Sequence, residues 1–357
     1  MISFTSKTKQ VLNSEINIIF SFITAFLITF VVIPKVIFFA ERLRLIDAAG
    51  ERAAHKGSVP IFGGIAIFSG LIFSLLFWAE LESIQFILVS FLIVFFVGVI
   101  DDLLALSPNK KLIGQIIAVL ILIYLQNLEI DNMHGVLGIY ELPDWVSTLF
   151  TVFVVIVITN GFNLIDGVDG LAGGIGVIAS FSFGVIALFM VQTDMAIIAF
   201  TLMGALLGFL KYNFHPAKIF MGDTGSLVVG MILSVLAINT IRYGLVTETI
   251  KLPNKGPLMA IVILAIPLFD SLRVFVARIL KGRHPLSPGR GHIHHALLNL
   301  GFGHKYTSIT LYLFSFLIIC CSYFLLELNL NVSIAILAVV SFILLFIPFY
   351  ILKSRSN

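Results

Sequence analysis

The stretch from Asn160 to Gly174 reads NGFNLIDGVDGLAGG and lies between two long apolar runs. It contains two carboxylates and five glycines, a composition that a lipid-facing helix does not require. Asn163, Asp166 and Asp169 recur at every third position, so a helical segment would project them to one side. Glycines let a ligand approach the backbone closely. The stretch therefore predicts a polar site at a membrane surface.

The chain as a whole is too apolar for a soluble globular protein. Of its 357 residues, 59% are hydrophobic and 11% are charged, and the mean hydropathy is +1.09. These values predict an all-α polytopic membrane protein with about eleven transmembrane helices. We expect the first apolar run to be a retained span, because no small-residue cleavage site follows it. The predicted spans are 17–40, 61–79, 84–100, 112–128, 145–160, 171–191, 194–211, 223–241, 257–280, 307–327 and 331–351.

The distribution of lysine and arginine predicts the orientation. Basic residues concentrate in the cytoplasmic loops of membrane proteins. An extracytoplasmic N-terminus and a cytoplasmic C-terminus satisfy this rule, and this parity requires an odd number of spans. The cytoplasmic loops would then carry Arg42, Arg44, Arg52, Lys56, Lys110, Lys111, Lys211, Lys218, Arg278, Lys281, Arg283, Arg290, Lys305, Lys353 and Arg355.

Two further acidic clusters lie at predicted helix ends on the same side. Asp101 and Asp102 close the third span, and adjacent like charges favour a divalent metal or a role in proton transfer. A solvated helix end that carries two acids is the alternative. Asp223 lies in the sequence MGDTGS at the start of the eighth span, where helix N–H groups favour an anion. The alternative is that Asp223 is simply the N-cap of that helix.

Basic and histidine residues occupy two predicted cytoplasmic loops. Lys56, next to His55, is a natural partner for a phosphate, although a membrane anchor explains the basic residues of that loop equally well. The later loop carries Arg290 and the sequence His292-Ile293-His294-His295. Zinc is one interpretation of the histidines, but cysteine ligands are absent from the loop. We favour ligands for a diphosphate beside a metal-bearing acidic site.

The ninth predicted span contains polar residues of its own. Asp270 and Arg273 are spaced for an ion pair within one helix, and we expect that pair to be structural. Pro267 should bend the helix. The segment around 129–144 is expected to form a small extracytoplasmic hairpin.

Acidic residues that hold a hard cation, beside bases that hold phosphate oxygens, are what phosphoryl transfer requires. At a lipid boundary, they suggest one lipid reactant and one cytosolic nucleotide. Over about residues 45–305, the motifs Asp101-Asp102, NLIDGVDGL, MGDTGS and HIHH together resemble the polyprenyl-phosphate N-acetylhexosamine-1-phosphate transferases. Ile293 interrupts the histidines and Ala296 follows them. Both features are similar to the branch that starts O-antigen, common-antigen or teichoic-acid linkage synthesis, rather than to the translocases of peptidoglycan synthesis.

The resemblance implies transfer of a sugar 1-phosphate, with GlcNAc as the expected sugar, from a UDP-N-acetylhexosamine to undecaprenyl phosphate. UMP is released, and Mg²⁺ is the expected cofactor, with Mn²⁺ as a substitute. The resemblance implies catalytic roles for Asp101, Asp102, Asp223 and His294, metal binding by Asp223 and Asp102, and substrate binding by His55, Lys56, Asn163, Asp166, Asp169, Arg290, His292 and His295.

The expected setting is a single membrane transferase domain over residues 1–357, in the bacterial cytoplasmic membrane, with its active site facing the cytoplasm. No nucleic-acid partner is expected, and the sequence leaves open whether the protein is a homodimer. Direct attack by the lipid phosphate is the expected mechanism, with double displacement through an aspartyl intermediate as the alternative. Two other functions stay open: a phospho-MurNAc-pentapeptide translocase, and an ion-coupled transporter.

Overall fold

The computed structural model describes residues 2–43, 59–246, 251–280, 282 and 291–356. Within these ranges the protein is a bundle of helices with two small hairpins. The helices are α1 (Ile2–Arg42), α2 (Gly63–Trp78), α3 (Leu81–Leu104), α4 (Pro108–Tyr124), α5 (Asp144–Leu164), α6 (Leu171–Phe189), α7 (Thr193–Asn213), α8 (Gly222–Tyr243), α9 (Gly256–Ile263), α10 (Ala265–Leu280), α11 (Ile293–Asn299), α12 (His304–Ser322) and α13 (Leu330–Ser356).

The prediction of an all-α polytopic membrane protein is confirmed. Eight of the described helices are long and apolar enough to cross a membrane, and the pair α9 and α10 makes nine if it forms one broken span. Large apolar side chains such as Phe77 and Phe324 are exposed on the helix surfaces, as expected where lipid is the solvent. Each predicted span overlaps one helix, except that the ninth overlaps both α9 and α10. α2 has 16 residues and α4 has 17. The count of eleven and the orientation stay predictions.

The predicted bend in the ninth span is larger than a proline kink requires. α9 and α10 meet at an angle of 78°. The break falls at Leu264, three residues before Pro267, because proline removes a backbone donor and disturbs the preceding turn. This bend directs α10, with its polar residues Asp270 and Arg273, toward the end of the bundle that carries α11.

α8 is the central helix of the bundle, and 94% of its most apolar 18-residue stretch is buried inside the protein. It packs against α3 and α5, and its N-terminal end meets α2. Gly64 and Gly225 lie backbone to backbone at that meeting point, where a side chain on Gly64 would overlap the backbone of α8. Backbone N–H groups of Gly63 and Gly64 donate to the carbonyls of Phe220 and Met221 at 2.9 and 2.8 Å. The start of α2 and the start of α8 are therefore one rigid unit.

Two antiparallel hairpins connect helices away from this unit. β1 (Asn132–Val136) pairs with β2 (Ile139–Glu141), which confirms the predicted hairpin, and β3 (Leu245–Val246) pairs with β4 (Lys251–Leu252). The first hairpin is held to α13 by Asn331, whose side chain bonds to Leu137 N–H and to the Gly135 carbonyl.

The polar sequence motifs converge at the other end of the bundle. Hydrogen bonds bring together the C-terminal ends of α3 and α5, the turn after α5 and the N-terminal ends of α4, α8 and α12. The start of α11 lies there as well, because His294 packs against Gly167 in the turn after α5. The topology of alternating helices therefore collects residues that are far apart in the chain.

Candidate active site

Asp102 caps α8 from a neighbouring helix. One carboxylate oxygen accepts the N–H of Asp223 at 2.8 Å, and the other accepts the N–H and the hydroxyl of Thr224 at 2.9 and 2.5 Å. The first N–H groups of a helix need such acceptors. Gly222 adopts a φ of +70° immediately before them, and its hydrogen side chain leaves room for the Asp102 carboxylate. Asp102 thus fixes the start of α8, and its predicted role as a metal ligand stays a prediction.

Asp101 and Asp223 share one ammonium group. Lys111 Nζ lies 2.6 Å from Asp101 Oδ2 and 2.9 Å from Asp223 Oδ2. Asp101 also accepts the N–H of Leu106 at 2.8 Å, which closes the turn after α3. Asp223 therefore does not act as the N-cap of its own helix, since Asp102 fills that role. The two carboxylates instead form a site that already binds a cation.

Asn163 completes the surroundings of Asp223. Its amide nitrogen donates a short hydrogen bond to Asp223 Oδ1, and it lies 2.7 Å from Ser226 Oγ. Asn160, one helical turn earlier, instead bonds to Gln115 of α4 at 2.8 Å and is a packing residue. The end of α5 is thereby joined to both α4 and α8.

Asp166 lies in the turn that follows α5, half-buried beside the acidic cluster. Among the described residues no donor bonds to its carboxylate. Burial, followed by the negative charge of three neighbouring carboxylates, raises the pKa of Asp166 to about 7. A cation that binds nearby would lower that pKa again. Asp166 is thus available to contribute an oxygen ligand.

Asp169 joins three parts of the chain and is 1% exposed. Oδ2 lies 2.7 Å from His215 Nδ1 and accepts the N–H of Ala217 at 3.1 Å, while Oδ1 lies 3.1 Å from His304 Nδ1. Burial alone would raise the pKa of Asp169, but the hydrogen bonds from His304, His215 and Ala217 outweigh it and hold that pKa well below its usual range. Asp169 therefore stays ionised and ties the 165–170 turn to the loop before α8 and to α12.

A helix over residues 163–169 would place the side chains of Asn163, Asp166 and Asp169 on one side. The structure has no helix over residues 165–170, so the three side chains do not lie together. α5 ends at Leu164, and residues 165–170 form turns. Asn163 consequently faces Asp223, whereas Asp169 faces the two histidines. The glycine-rich sequence explains the difference, since Gly170 adopts a φ of +77° that ends the turn and starts α6.

The histidine segment lies against the same turn. His294 is 2% exposed, and a β-carbon built on Gly167 would lie only 2.8 Å from His294 Nε2. The ring of His294 lies 4.3 Å from that of His295, and 5.7 Å from that of His292, between centroids. Burial, with the adjacent His295, lowers the pKa of His294 to about 3. His294 is therefore neutral at physiological pH before a ligand binds.

The three histidines are not arranged as a zinc site. His292 Nδ1 lies 2.8 Å from Asp270 Oδ2, so that nitrogen is already engaged. Among the described residues, the group whose donor atoms lie within 4.8 Å of one another is Asp169, His215 and His304. The predicted ion pair between Asp270 and Arg273 is confirmed at 2.7 Å.

The predicted residues therefore fall into three groups. Asp101, Asp102, Asn163 and Asp223 form the first, together with the nearby Asp166. Asp169 organises the second, and His292, His294 and His295 form the third. His55, Lys56 and Arg290 lie outside the described residues.

Three residues of the site were missed by sequence reasoning. Lys111 was assigned only to the positive charge of a loop, although it begins a helix just after Asp101-Asp102 on the same side of the membrane. His215 and His304 each lie at the end of a predicted span on that side as well. Single histidines carry little signal, and only the tertiary contact with Asp169 distinguishes them.

The donor chemistry fits a hard divalent cation. Asp101 and Asp223 present carboxylate oxygens to one point, and Asp166 lies beside them. Oxygen ligands of this kind suit Mg²⁺, which uses one or two carboxylates together with substrate phosphates and water.

Comparison with known proteins places this geometry in a family. The model of glycosyl transferase family 4 matches residues 84–241. A probable undecaprenyl-phosphate N-acetylglucosaminyl 1-phosphate transferase of Bacillus subtilis (strain 168) is 32% identical over 307 residues, which cover 85% of this chain and 83% of the relative. The chain belongs to glycosyl transferase family 4.

Other members of glycosyl transferase family 4 are similar over comparable lengths. A decaprenyl-phosphate N-acetylglucosaminephosphotransferase of Mycobacterium tuberculosis (strain ATCC 25618 / H37Rv) is 30% identical over 82% of this chain and 78% of its own. An undecaprenyl-phosphate alpha-N-acetylglucosaminyl 1-phosphate transferase of Salmonella typhi is 28% identical over 81% of this chain and 77% of its own. The resemblance inferred from the motifs is thereby confirmed. The region matched by the family model includes Asp101, Lys111 and Asp223.

Proposed function

We propose that this protein transfers N-acetylglucosamine 1-phosphate from UDP-N-acetylglucosamine to undecaprenyl phosphate and releases UMP. The observation that carries the proposal is the cluster in which Lys111 bridges Asp101 and Asp223 at 2.6 and 2.9 Å, at the ends of apolar helices. Phosphoryl transfer depends on positioning and charge neutralisation, which such a cluster supplies. The names of the relatives support the choice of sugar and lipid.

The proposed reaction is a direct displacement at phosphorus. An oxygen of the lipid phosphate attacks the sugar-bearing phosphorus of the UDP-sugar and forms a new P–O–P linkage. The bond from that phosphorus to the oxygen of the uridine-bearing phosphate breaks, and UMP leaves with the electron pair. A phosphate monoester has a second pKa of about 6, so at neutral pH the nucleophile is already ionised and needs no dedicated base.

Mg²⁺ is the cofactor that we propose for this site. Asp101 and Asp223 would hold it, with Asp166 close by, and it would neutralise charge on the reacting phosphates. Lys111 would then be free to interact with a substrate phosphate, because the metal would take over its two carboxylate partners. Asp102 would act by holding the start of α8, and thus Asp223, in place.

The histidine segment would bind the sugar-diphosphate end of the donor. The packing of His294 against Gly167, in the turn that carries Asp166, supports this assignment, and the His292 ring lies 5.7 Å from that of His294. His294 is neutral before binding, and the negative charge of a diphosphate would raise its pKa and favour the imidazolium. We assign His55, Lys56 and Arg290 to phosphate or sugar binding by resemblance alone.

We further propose that the protein crosses the bacterial cytoplasmic membrane eleven times, with its N-terminus outside and the active site facing the cytoplasm. The positive-inside asymmetry supports this orientation. All described members of the site lie at one end of the bundle, as a cytosolic nucleotide donor requires.

The proposed reaction is tested by UMP release from purified protein. The assay contains undecaprenyl phosphate, Mg²⁺ and UDP-N-acetylglucosamine, with UDP-MurNAc-pentapeptide in a parallel reaction. We expect lipid-dependent UMP release from UDP-N-acetylglucosamine alone, abolished by EDTA and restored by Mg²⁺. Asp223→Asn and His294→Ala should lose this activity, whereas Asp194→Asn, near the other end of the bundle, should retain it. Turnover only with the pentapeptide donor, or release that does not need lipid, would overturn the proposal.

A further inference from the structure

Two side chains of α10 hold three consecutive residues at the start of α11. Asp270 Oδ1 accepts the N–H of Ile293 at 3.0 Å, and Asp270 Oδ2 lies 2.8 Å from His292 Nδ1. Arg273 donates to Asp270 Oδ1 at 2.7 Å and makes a short hydrogen bond to the carbonyl of Gly291. The start of the histidine segment is therefore fixed from a helix outside that segment.

This contact is buried. Asp270 is 0% exposed and Arg273 is 8% exposed. The Arg273 guanidinium also lies 4.1 Å from the centroid of the Phe349 ring of α13. A buried carboxylate is tolerated only when protein donors replace water. Asp270 receives two of these donors from His292 and Ile293. Movement of α10 relative to α11 would therefore leave the buried carboxylate without them.

The same contact decides which nitrogen of His292 faces a ligand. Nδ1 lies beside a carboxylate oxygen and must carry a proton to make that hydrogen bond. Nε2 is then the nitrogen that remains for a substrate.

The ring of His292 packs near the ring of His294, so the position of one affects the other. The two rings are nearly parallel, at 5° and 5.7 Å between centroids. His294 in turn packs against Gly167, in the turn that separates Asp166 from Asp169. A shift at His292 would therefore move the His294 ring relative to the acidic turn.

We propose that Asp270 and Arg273 are positioning residues of the transfer reaction. They hold His292 and His294 against the 165–170 turn, and Asp270 keeps the proton of His292 on Nδ1 so that Nε2 faces the diphosphate of the sugar nucleotide. This inference rests on the proposed function. It gives the buried ion pair of the broken span a role in donor binding, in addition to its role in packing.

Steady-state kinetics of Asp270→Ala and the isosteric Asp270→Asn test the proposal. We expect Asp270→Ala to raise KM for the sugar nucleotide by about tenfold or more, the loss expected when a hydrogen bond to a charged group is removed. KM for undecaprenyl phosphate should change by less than about threefold, because Asp270 contacts Arg273, His292 and Ile293 rather than the Asp101–Asp223 cluster, where the proposed Mg²⁺ would meet the lipid phosphate. Asp270→Asn should fall between Asp270→Ala and the wild type.

A double variant separates positioning from a loss of structure. The double variant Asp270→Ala/His292→Ala should lose less than the sum of the two single losses, since both changes break the contact between His292 and Asp270. Asp194→Asn is the matched control, because Asp194 accepts a hydrogen bond from Ser83 at 2.6 Å far from the site. Equal increases in both KM values, fully additive losses, or unchanged kinetics would overturn the proposal.

A spectroscopic measurement keeps this inference distinct from the proposed reaction. With ¹⁵N-labelled histidine, the Nδ1–H of His292 should give a low-field proton signal that Asp270→Ala removes and Asp194→Asn retains. If the wild type turns over no UDP-sugar, the reaction is wrong, and this signal still reports the contact. If Asp270→Ala leaves the signal in place, the positioning role is wrong even when the reaction is correct.

Discussion

At the scale of single residues, the site is organised by how its charges are shared. Lys111 forms ion pairs with two carboxylates, those of Asp101 and Asp223. Both carboxylate oxygens of Asp102 accept hydrogen bonds from backbone and hydroxyl donors of α8. Adjacent Asp101 and Asp102 therefore have different tasks. One faces the cation site and the other holds a helix end, although the sequence presents them as a pair.

Loss of the shared ammonium is the first prediction at this scale. We expect Lys111→Ala to lower kcat/KM by about a hundredfold, because electrostatic groups preorganised at a reacting centre have effects of that size. Its neighbour Lys110 is exposed, so Lys110→Ala should stay within about twofold of the wild type. UMP release under the conditions given above measures both. Equal losses in the two variants would show that Lys111 acts only through the general positive charge of the loop.

The buried His294 gives a prediction about pH. Its pKa is about 3 in the folded protein and about 6.5 when exposed, so below about pH 6.5 the unfolded chain binds the proton more readily. Stability is thus lost as the pH falls, by about 2 kcal/mol between pH 6.5 and pH 5 for this residue. His294→Gln should narrow the difference in stability between pH 7.5 and pH 5 by about that amount. Thermal unfolding in detergent at both pH values measures it, and parallel shifts of wild type and variant would contradict the assignment.

At the scale of elements, the broken span and the start of α8 decide where the chemistry lies. The 78° bend between α9 and α10 carries Asp270 to α11. The segment from Pro60 to Gly64 pairs with residues 220 and 221. The PIFGG turn therefore has a structural role, since it supports the backbone from which Asp223 projects.

The close packing of α2 on α8 yields a stability prediction. A β-carbon at Gly64 would overlap the backbone of Gly225 and Thr224, which cannot move like the end of a side chain. We expect Gly64→Ala to destabilise the protein by about 1–3 kcal/mol and to reduce activity, since the start of α8 would shift. Gly303 has no atom near such a β-carbon, so Gly303→Ala is the matched control. A melting temperature for Gly64→Ala equal to that of the control would contradict the rigid contact.

At the scale of the whole molecule, the bundle places every described part of the site at one end. The β1–β2 hairpin lies at the other end, where Asn331 of α13 holds it. The first end carries the acidic and histidine side chains of the candidate site, whereas the other end carries connections such as the β1–β2 hairpin.

The orientation of this bundle can be tested by labelling. Cys320 and Cys321 are first replaced by serine, since both are free and exposed. A cysteine at the hairpin tip Gly138 should then react with an impermeant maleimide in intact cells, and one at Asn109 should react only in inside-out vesicles. Both positions are exposed, so accessibility does not limit the reaction. The reverse pattern would place the site on the outside.

By itself the sequence determined that the protein lies in a lipid bilayer, that its apolar spans are helices, and that its polar motifs are of the kind used in phosphoryl transfer. Spans of apolar residues must satisfy their backbone internally and so become helices, and motifs such as MGDTGS and HIHH are local enough to be read directly. Only the tertiary structure showed which side chains contact one another in the site. Lys111, His215, His304 and Asp270 acquire their roles from contacts across 22 to 135 residues, with Asp223, Asp169 and His292 as the partners. No local pattern encodes such contacts, because they depend on how whole helices pack and on where α5 stops.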